Sequence, residues 1–98
     1  MTEFTVRVAT PADTDRLLPL LDEMAGEKTG TRPPQNLEQI ERRRAVLAAS
    51  LLDFERPVVV AYSGMRVVGC LLLPDTTPFV SASWRGLGVD IELLQFLR

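Results

Sequence analysis

A glycine-containing turn directly before the last apolar segment constrains this chain more than any other feature. It reads Ser83-Trp84-Arg85-Gly86-Leu87-Gly88-Val89-Asp90 and separates a strand-like segment from the helix-like run Ile91 to Arg98. Glycines at alternate positions permit a tight turn, and the start of a following helix offers unpaired backbone N–H groups and the positive end of the helix dipole. The segment therefore predicts a site where an anion such as a phosphate group binds.

Two residue types that carry much enzyme chemistry are scarce in this sequence. The 98 residues include no histidine and one cysteine, Cys70. The lack of histidine excludes Ser-His and Cys-His nucleophilic catalysis and histidine-ligated zinc within the chain. A single cysteine excludes an internal disulfide. The apolar neighbours of Cys70 predict a buried, unreactive strand residue.

The charge balance narrows the classes of partner. Eleven basic and thirteen acidic residues give a net charge of −2, which offers no electrostatic footprint for nucleic acid. The run Arg42-Arg43-Arg44 is better explained as a solvated helix face than as a phosphate-binding patch. The first residues lack the regions of a signal peptide, and no apolar run approaches the length of a membrane span. We therefore expect a cytoplasmic protein with no nucleic-acid or membrane partner.

The first quarter of the chain predicts a strand followed by a capped helix. Residues 4–8 alternate and are rich in strand-forming types. Thr10 suits the N-cap and Asp13 the first turn of a helix. An apolar stripe at helical spacing continues to about Ala25, followed by a loop from residue 26 through residue 34. Pro19 lies inside the stripe and should kink or divide the helix.

The rest of the chain predicts one more helix, a group of strands and the final helix. The second helix covers about residues 36–53, with a core-facing stripe formed by Leu37, Ile40, Leu47 and Leu51. Strands follow at residues 57–62, 66–73 and 79–82, with a tight turn at 63–64 and a proline-bounded loop at 74–78. The element order is β-α-α-β-β-β-α, which predicts a single α/β domain over residues 1–98.

Two common phosphate-binding patterns do not fit the glycine turn. A P-loop requires Lys-Ser or Lys-Thr after its last glycine, where this chain has Val89 and Asp90. A dinucleotide-binding fingerprint requires a third small residue where Ile91 stands, and it belongs near the start of a βαβ unit. Both patterns are excluded.

The segment Phe79 to Val89 is similar to the fourth strand and pyrophosphate loop of the GNAT superfamily of N-acetyltransferases. That family's loop reads Gln/Arg-x-x-Gly-x-Gly/Ala, matched here by Arg85 and Gly88, with an additional glycine at Gly86. The helix entry at residues 9–13 and the hairpin at residues 60–69 also resemble the family, as does the element order. The resemblance extends over essentially the whole chain and implies a mostly antiparallel sheet, corresponding to the N-terminal half of the family's fold.

This resemblance implies that acetyl-CoA is a co-substrate and that an amine of unknown identity accepts the acetyl group. The pyrophosphate would lie on the backbone N–H groups of the loop and the start of the last helix. The strand before it, near Val80 and Ser81, would run along the pantetheine and polarise the acetyl carbonyl. The implied cofactor-binding residues are Val80, Ser81, Arg85, Gly86, Leu87, Gly88, Val89 and Asp90.

The chain also departs from the family pattern. Asp90 occupies the last small position of the loop motif, and the acid nearest the fourth strand is Asp75 in a loop, where a turn-stabilising role is expected. The only tyrosine, Tyr62, lies on the second strand, whereas the family places a tyrosine acid after a fifth strand. No catalytic residue is therefore assigned.

Three interpretations follow from these departures. The chain is a short or truncated acetyltransferase-like protein, a non-catalytic interaction module that keeps half of the fold, or a fragment of a longer reading frame. An open sheet edge at the fourth strand also predicts self-association or a partner chain that completes the sheet.

Overall fold

The computed structural model describes residues 4–30, 36–75 and 77–96. The predicted element order is confirmed, and two short 3-10 turns are added to it. The elements are β1 (Thr5–Val8), a 3-10 turn (Pro11–Asp13), α1 (Thr14–Thr29), α2 (Leu37–Ser50), β2 (Val58–Ser63), β3 (Arg66–Leu72), β4 (Phe79–Val80), a second 3-10 turn (Ala82–Trp84) and α3 (Val89–Gln95).

The four strands form one antiparallel sheet in the order β1-β2-β3-β4. Side chains of alternate residues of β2 point to opposite faces of the sheet. Val60 packs in the hydrophobic cluster with α1 and α2, and Val59 packs in the cluster with α3. Both faces of the central strands are covered, and this explains why β2 is almost continuously apolar. Within the described residues, β1 and β4 are the edges of the sheet.

A bulge in β3 controls how α3 approaches the sheet. Ala61 pairs with Gly69 and Tyr62 pairs with Val67, so Val68 is an extra residue on β3. Gly69 then lies beneath α3. A Cβ at this position would stand 2.8 Å from Cγ1 of Val89 and 3.1 Å from Cδ1 of Leu93. The close approach of α3 to β3 therefore requires glycine at this position.

A buried carboxylate joins β1, β2 and the start of α1. Asp13 accepts hydrogen bonds from two nitrogens of Arg7 at 2.6 and 2.8 Å and from the Tyr62 hydroxyl at 2.6 Å. It also accepts the backbone N–H of Thr10 at 2.7 Å, which completes a capping box. The hydrogen bonds from Arg7 and Tyr62 hold the pKa of Asp13 well below its usual range, even though burial of the carboxylate opposes this shift.

The helices differ from the predicted ones in length and in packing. α1 is not divided at Pro19: it continues past Gly26 to Thr29 and ends at Gly30, whose φ is 69°. Pro19 is exposed, so the carbonyl left without an N–H partner can face water. Leu37 was predicted to join the core but is 70% exposed, because α2 contacts the core mainly through Leu47 and Leu51 near its end.

We expect Gly69→Ala to lower the free energy of unfolding by about 1–3 kcal/mol, because the added methyl group overlaps Val89 in a packed interface. Urea denaturation followed by circular dichroism measures this change. In a Val89→Ala background the same substitution should cost less, since the obstructing methyl group has been removed. Equal costs in the two backgrounds would contradict the described packing.

Asp13 should make stability depend on acid pH. Its pKa is depressed in the folded state, so its contribution is complete above the unfolded value of about 3.9 and is lost as pH falls toward the folded value. Asp13→Asn should lower stability at pH 7 by about 1–3 kcal/mol and flatten the dependence between about pH 5 and pH 2. Urea titrations across that range measure both effects. A variant with the same acid dependence as the parent would contradict this role.

Candidate ligand-binding site

The predicted glycine turn forms a fixed loop between β4 and α3. Gly86 and Gly88 have φ values of 81° and 91°, in the left-handed region that favours glycine. Before the loop, Trp84 packs edge-on against Phe4, with 5.9 Å between ring centroids. After it, Val89 is fully buried against the sheet. The loop is therefore anchored by packing at both ends.

A cavity of about 640 Å³ opens beside this loop. Its walls come from the end of α1, the chain leading into β4, the loop and the first turn of α3. Five of the eight residues predicted to bind the cofactor line it: Val80, Arg85, Gly86, Gly88 and Asp90. The remaining three lie elsewhere: Ser81 lines a neighbouring cavity, Leu87 is half exposed, and the side chain of Val89 is buried in the core.

Arg85 forms part of the cavity wall. Its Nη2 lies 2.6 and 2.7 Å from the two carboxylate oxygens of Glu27 on α1, and its Nε donates to the carbonyl of Val80 at 3.0 Å. The guanidinium group also lies over the ring of Phe79, 5.5 Å from its centroid. Arg85 therefore ties the loop to α1 and to β4. Both members of the ion pair are partly exposed, so the pair itself stabilises the fold by about 1 kcal/mol at most.

Of the two described basic residues that line the cavity, Lys28 is the one free to pair with a bound anion. It lines the cavity and has no ion-pair or hydrogen-bond partner among the described residues, whereas Arg85 is paired with Glu27. The apolar stripe of the sequence predicts a helix that ends near Ala25, which puts residues 27 and 28 in a loop. The extension of α1 to Thr29 brings both side chains to the site. The sequence signal for this later helix end is Gly30, because glycine readily adopts the left-handed conformation that commonly ends a helix.

A second carboxylate, Glu23, meets the end of β4. Its Oε1 accepts the hydroxyl of Ser81 at 3.3 Å and the backbone N–H of Ala82 at 3.0 Å. The N–H of Ser81 donates to the carbonyl of Val68 at 2.9 Å and thus extends the β3–β4 pairing. Glu23 and Ser81 line a separate cavity of about 460 Å³. No local sequence pattern marks Glu23, because its partners are 58 and 59 residues away.

Several other polar residues have structural roles. Tyr62 is buried and bonded to Asp13, and burial raises the pKa of its hydroxyl. Asp75 is exposed in the loop before β4. Two of the three consecutive arginines of α2 are not simply solvated, since Arg43 pairs with Asp22 and Arg44 with Asp15, both on α1.

Metal sites and membrane spans are absent from the portion of the chain that the structure describes. No group of three histidine, cysteine or acidic side chains there is placed to hold a metal ion. None of the described helices combines the length and the apolar character needed to cross a membrane.

Comparison with known proteins identifies the fold. No protein-family model and no curated protein sequence matches the chain. Solved structures do match it, at a probability of 1.00. A possible acetyltransferase from Clostridium difficile 630 has a TM-score of 0.71 and 18% identity over 96% of this chain and 68% of that protein.

Two further matches are described as N-acetyltransferases. One, from Staphylococcus aureus Mu50, has a TM-score of 0.68 and 23% identity over 98% of this chain and 64% of its own. The other, a ribosomal-protein-alanine N-acetyltransferase from Brucella melitensis biovar Abortus 2308, has a TM-score of 0.70 and 18% identity, covering 97% of this chain and 69% of its own. The chain has the fold of these acetyltransferases and spans 64–69% of the length of the three proteins.

Cys70 should be unreactive in the folded protein. It is 1% exposed, and burial raises the pKa of its thiol to about 11, so little thiolate forms near neutral pH. An aromatic disulfide reagent at pH 8 should label the native protein far more slowly than protein unfolded in guanidinium chloride. Labelling at equal rates in the two states would contradict the burial of this thiol.

Proposed function

We propose that this chain binds acetyl-CoA in the 640 Å³ cavity and contributes to transfer of its acetyl group to an amine. The observation that carries this proposal is the convergence of Val80, Arg85, Gly86, Gly88 and Asp90 on one cavity. These five are among the eight positions that the family resemblance implies for the cofactor, and the chain has an acetyltransferase fold. The cavity size also falls within the usual range for small-molecule sites.

The cavity offers both backbone and side-chain groups to a pyrophosphate. The left-handed glycines Gly86 and Gly88 allow successive N–H groups to face an anion without Cβ atoms in the way. Lys28 adds an ammonium group that has no ion-pair partner among the described residues. Two carboxylates also line the cavity: Asp90 at the start of α3 and Glu27, which is paired with Arg85. The phosphates are therefore expected to bind near the glycines and Lys28.

Acetyl-CoA supplies a thioester that an amine can cleave. In the transfer, an N–C bond forms and the C–S bond breaks, the sulfur keeps the electron pair, and the amine nitrogen loses a proton. The role proposed for this chain is to hold the thioester along β4 near Val80, in a site walled by α1 and the loop. Proximity of donor and acceptor is itself a large part of the catalysis of such two-substrate reactions.

Acetyl-CoA should stabilise the folded chain. At a ligand concentration 100 times Kd, binding adds about 2.7 kcal/mol to the free energy of unfolding, which raises Tm by several degrees for a domain of this size. Thermal unfolding followed by circular dichroism at increasing acetyl-CoA measures the effect. An unchanged Tm at millimolar acetyl-CoA would contradict the proposal and favour a non-catalytic interaction module.

A matched pair of glycine variants locates the binding site. Gly88→Val should abolish the acetyl-CoA shift, because valine is strained at a φ of 91° and changes the loop backbone. Gly64→Val imposes a similar strain at a φ of 61° in the β2–β3 turn, away from the cavity, and should retain the shift. Equal loss in both variants would point to general destabilisation, and retention in Gly88→Val would place the ligand elsewhere.

A further inference from the structure

The second cavity has the features of a binding site in its own right. Its volume is about 460 Å³, and it shares no lining residue with the cavity proposed for acetyl-CoA. Its walls are α1 from Asp15 to Glu23, the turn and first residues of β3 from Met65 to Val67, and Ser81 directly after β4. Consecutive residues at the end of β4 line the two cavities, Val80 the larger one and Ser81 the smaller one.

Two unpaired guanidinium groups line this second cavity. Arg16 and Arg66 make no ion pair or hydrogen bond with any described residue, although five other arginines of the described chain are paired. Asp15 cannot fully neutralise them, since it already pairs with Arg44 at 2.7 Å. Guanidinium groups bind carboxylates with paired, charge-assisted hydrogen bonds. The α1 and β3 walls therefore offer a site for a carboxylate.

The end of the cavity nearest β4 carries the opposite charge. Glu23 receives its two hydrogen bonds, from Ser81 and Ala82, on the same oxygen, Oε1. Its other oxygen, Oε2, accepts no hydrogen bond from the part of the chain that the structure describes. An ammonium group bound there would stand beside the end of β4, next to the strand residue Val80 that lines the other cavity.

We propose that the second cavity binds an acceptor carrying both an amine and a carboxylate, namely a free amino acid with an apolar side chain. Arg16 and Arg66 bind the carboxylate, and Glu23 binds the amine at the end of β4. Leu20, Met65 and Val67 give the cavity its apolar lining, and Met65, which is 71% exposed, offers most of this surface to the side chain. This inference rests on the proposed acetyl transfer for its biological meaning, but the binding itself is independent of acetyl-CoA.

Three related probes test the two charge contacts separately. L-Leucine carries both groups, L-leucinamide lacks the carboxylate, and 4-methylpentanoate lacks the amine. NMR titrations of the ¹⁵N-labelled chain, with and without CoA, should give the lowest Kd for leucine. Each of the other probes should bind about tenfold or more weakly, the usual size of a lost charged hydrogen bond. Shifted amide signals should include those of Arg66 and Ser81.

Variants assign the contacts to residues. Arg16→Gln and Arg66→Gln should remove the preference for leucine over leucinamide, whereas Glu23→Gln should remove the preference for leucine over 4-methylpentanoate. Arg56→Gln is the matched control, because Arg56 is also exposed and unpaired within the described chain but lies outside the cavity. It should leave all three affinities unchanged.

The outcomes separate this inference from the proposed function. The proposed amino-acid site would be overturned if leucinamide bound as tightly as leucine. It would also be overturned if leucine at about 10 mM did not bind, with or without CoA. Cavity variants that behave like Arg56→Gln would overturn it as well. Selectivity for leucine without a Tm shift by acetyl-CoA would support the amino-acid site and contradict acetyl transfer. A Tm shift by acetyl-CoA without selectivity for leucine would support acetyl-CoA binding and contradict the amino-acid site.

Discussion

The contact between α3 and the bulged part of β3 determines where the loop can stand. Gly69 has no side chain, so Val89 and Leu93 reach the sheet directly and are fully buried. Val89 is the first residue of α3 and immediately follows Gly88, so the same contact fixes the end of the loop. The left-handed conformations of Gly86 and Gly88 then carry the chain from β4 to that fixed point. The larger cavity opens beside the loop held in this way.

α1 supplies a common wall to both cavities. Glu23 and Glu27 lie one helical turn apart and face the chain after β4, where they bind Ala82 and Arg85 respectively. The helix is fixed at its other end by Asp13, through Arg7 and Tyr62. It therefore connects the β1–β2 side of the sheet to the loop.

The sequence predicted what depends on local pattern and on resemblance. Alternation, helical spacing and the Thr10 cap predicted the element order. Of the eight cofactor-binding residues that the family resemblance implies, five line one cavity. Contacts between segments far apart in the chain could not be predicted from local sequence patterns. Lys28 reaches the cavity only because α1 extends beyond its apolar stripe. The role of Glu23 depends on its contact with the chain directly after β4. Leu37 is exposed because α2 contacts the core mainly through Leu47 and Leu51 near its end, and periodicity does not determine which part of a helix makes that contact.

In the larger cavity, the carboxylate of Glu27 competes with any incoming anion for the guanidinium group of Arg85. An incoming phosphate that reaches Arg85 meets a guanidinium group already neutralised by a carboxylate. Binding there exchanges one anionic partner for another, so the affinity gained is the difference between the two interactions. Both side chains are partly exposed, and dissolved salt therefore weakens the resident pair as well as the incoming one. Ligand affinity at this arginine should be less sensitive to ionic strength than at Lys28, which gives up no partner within the described chain.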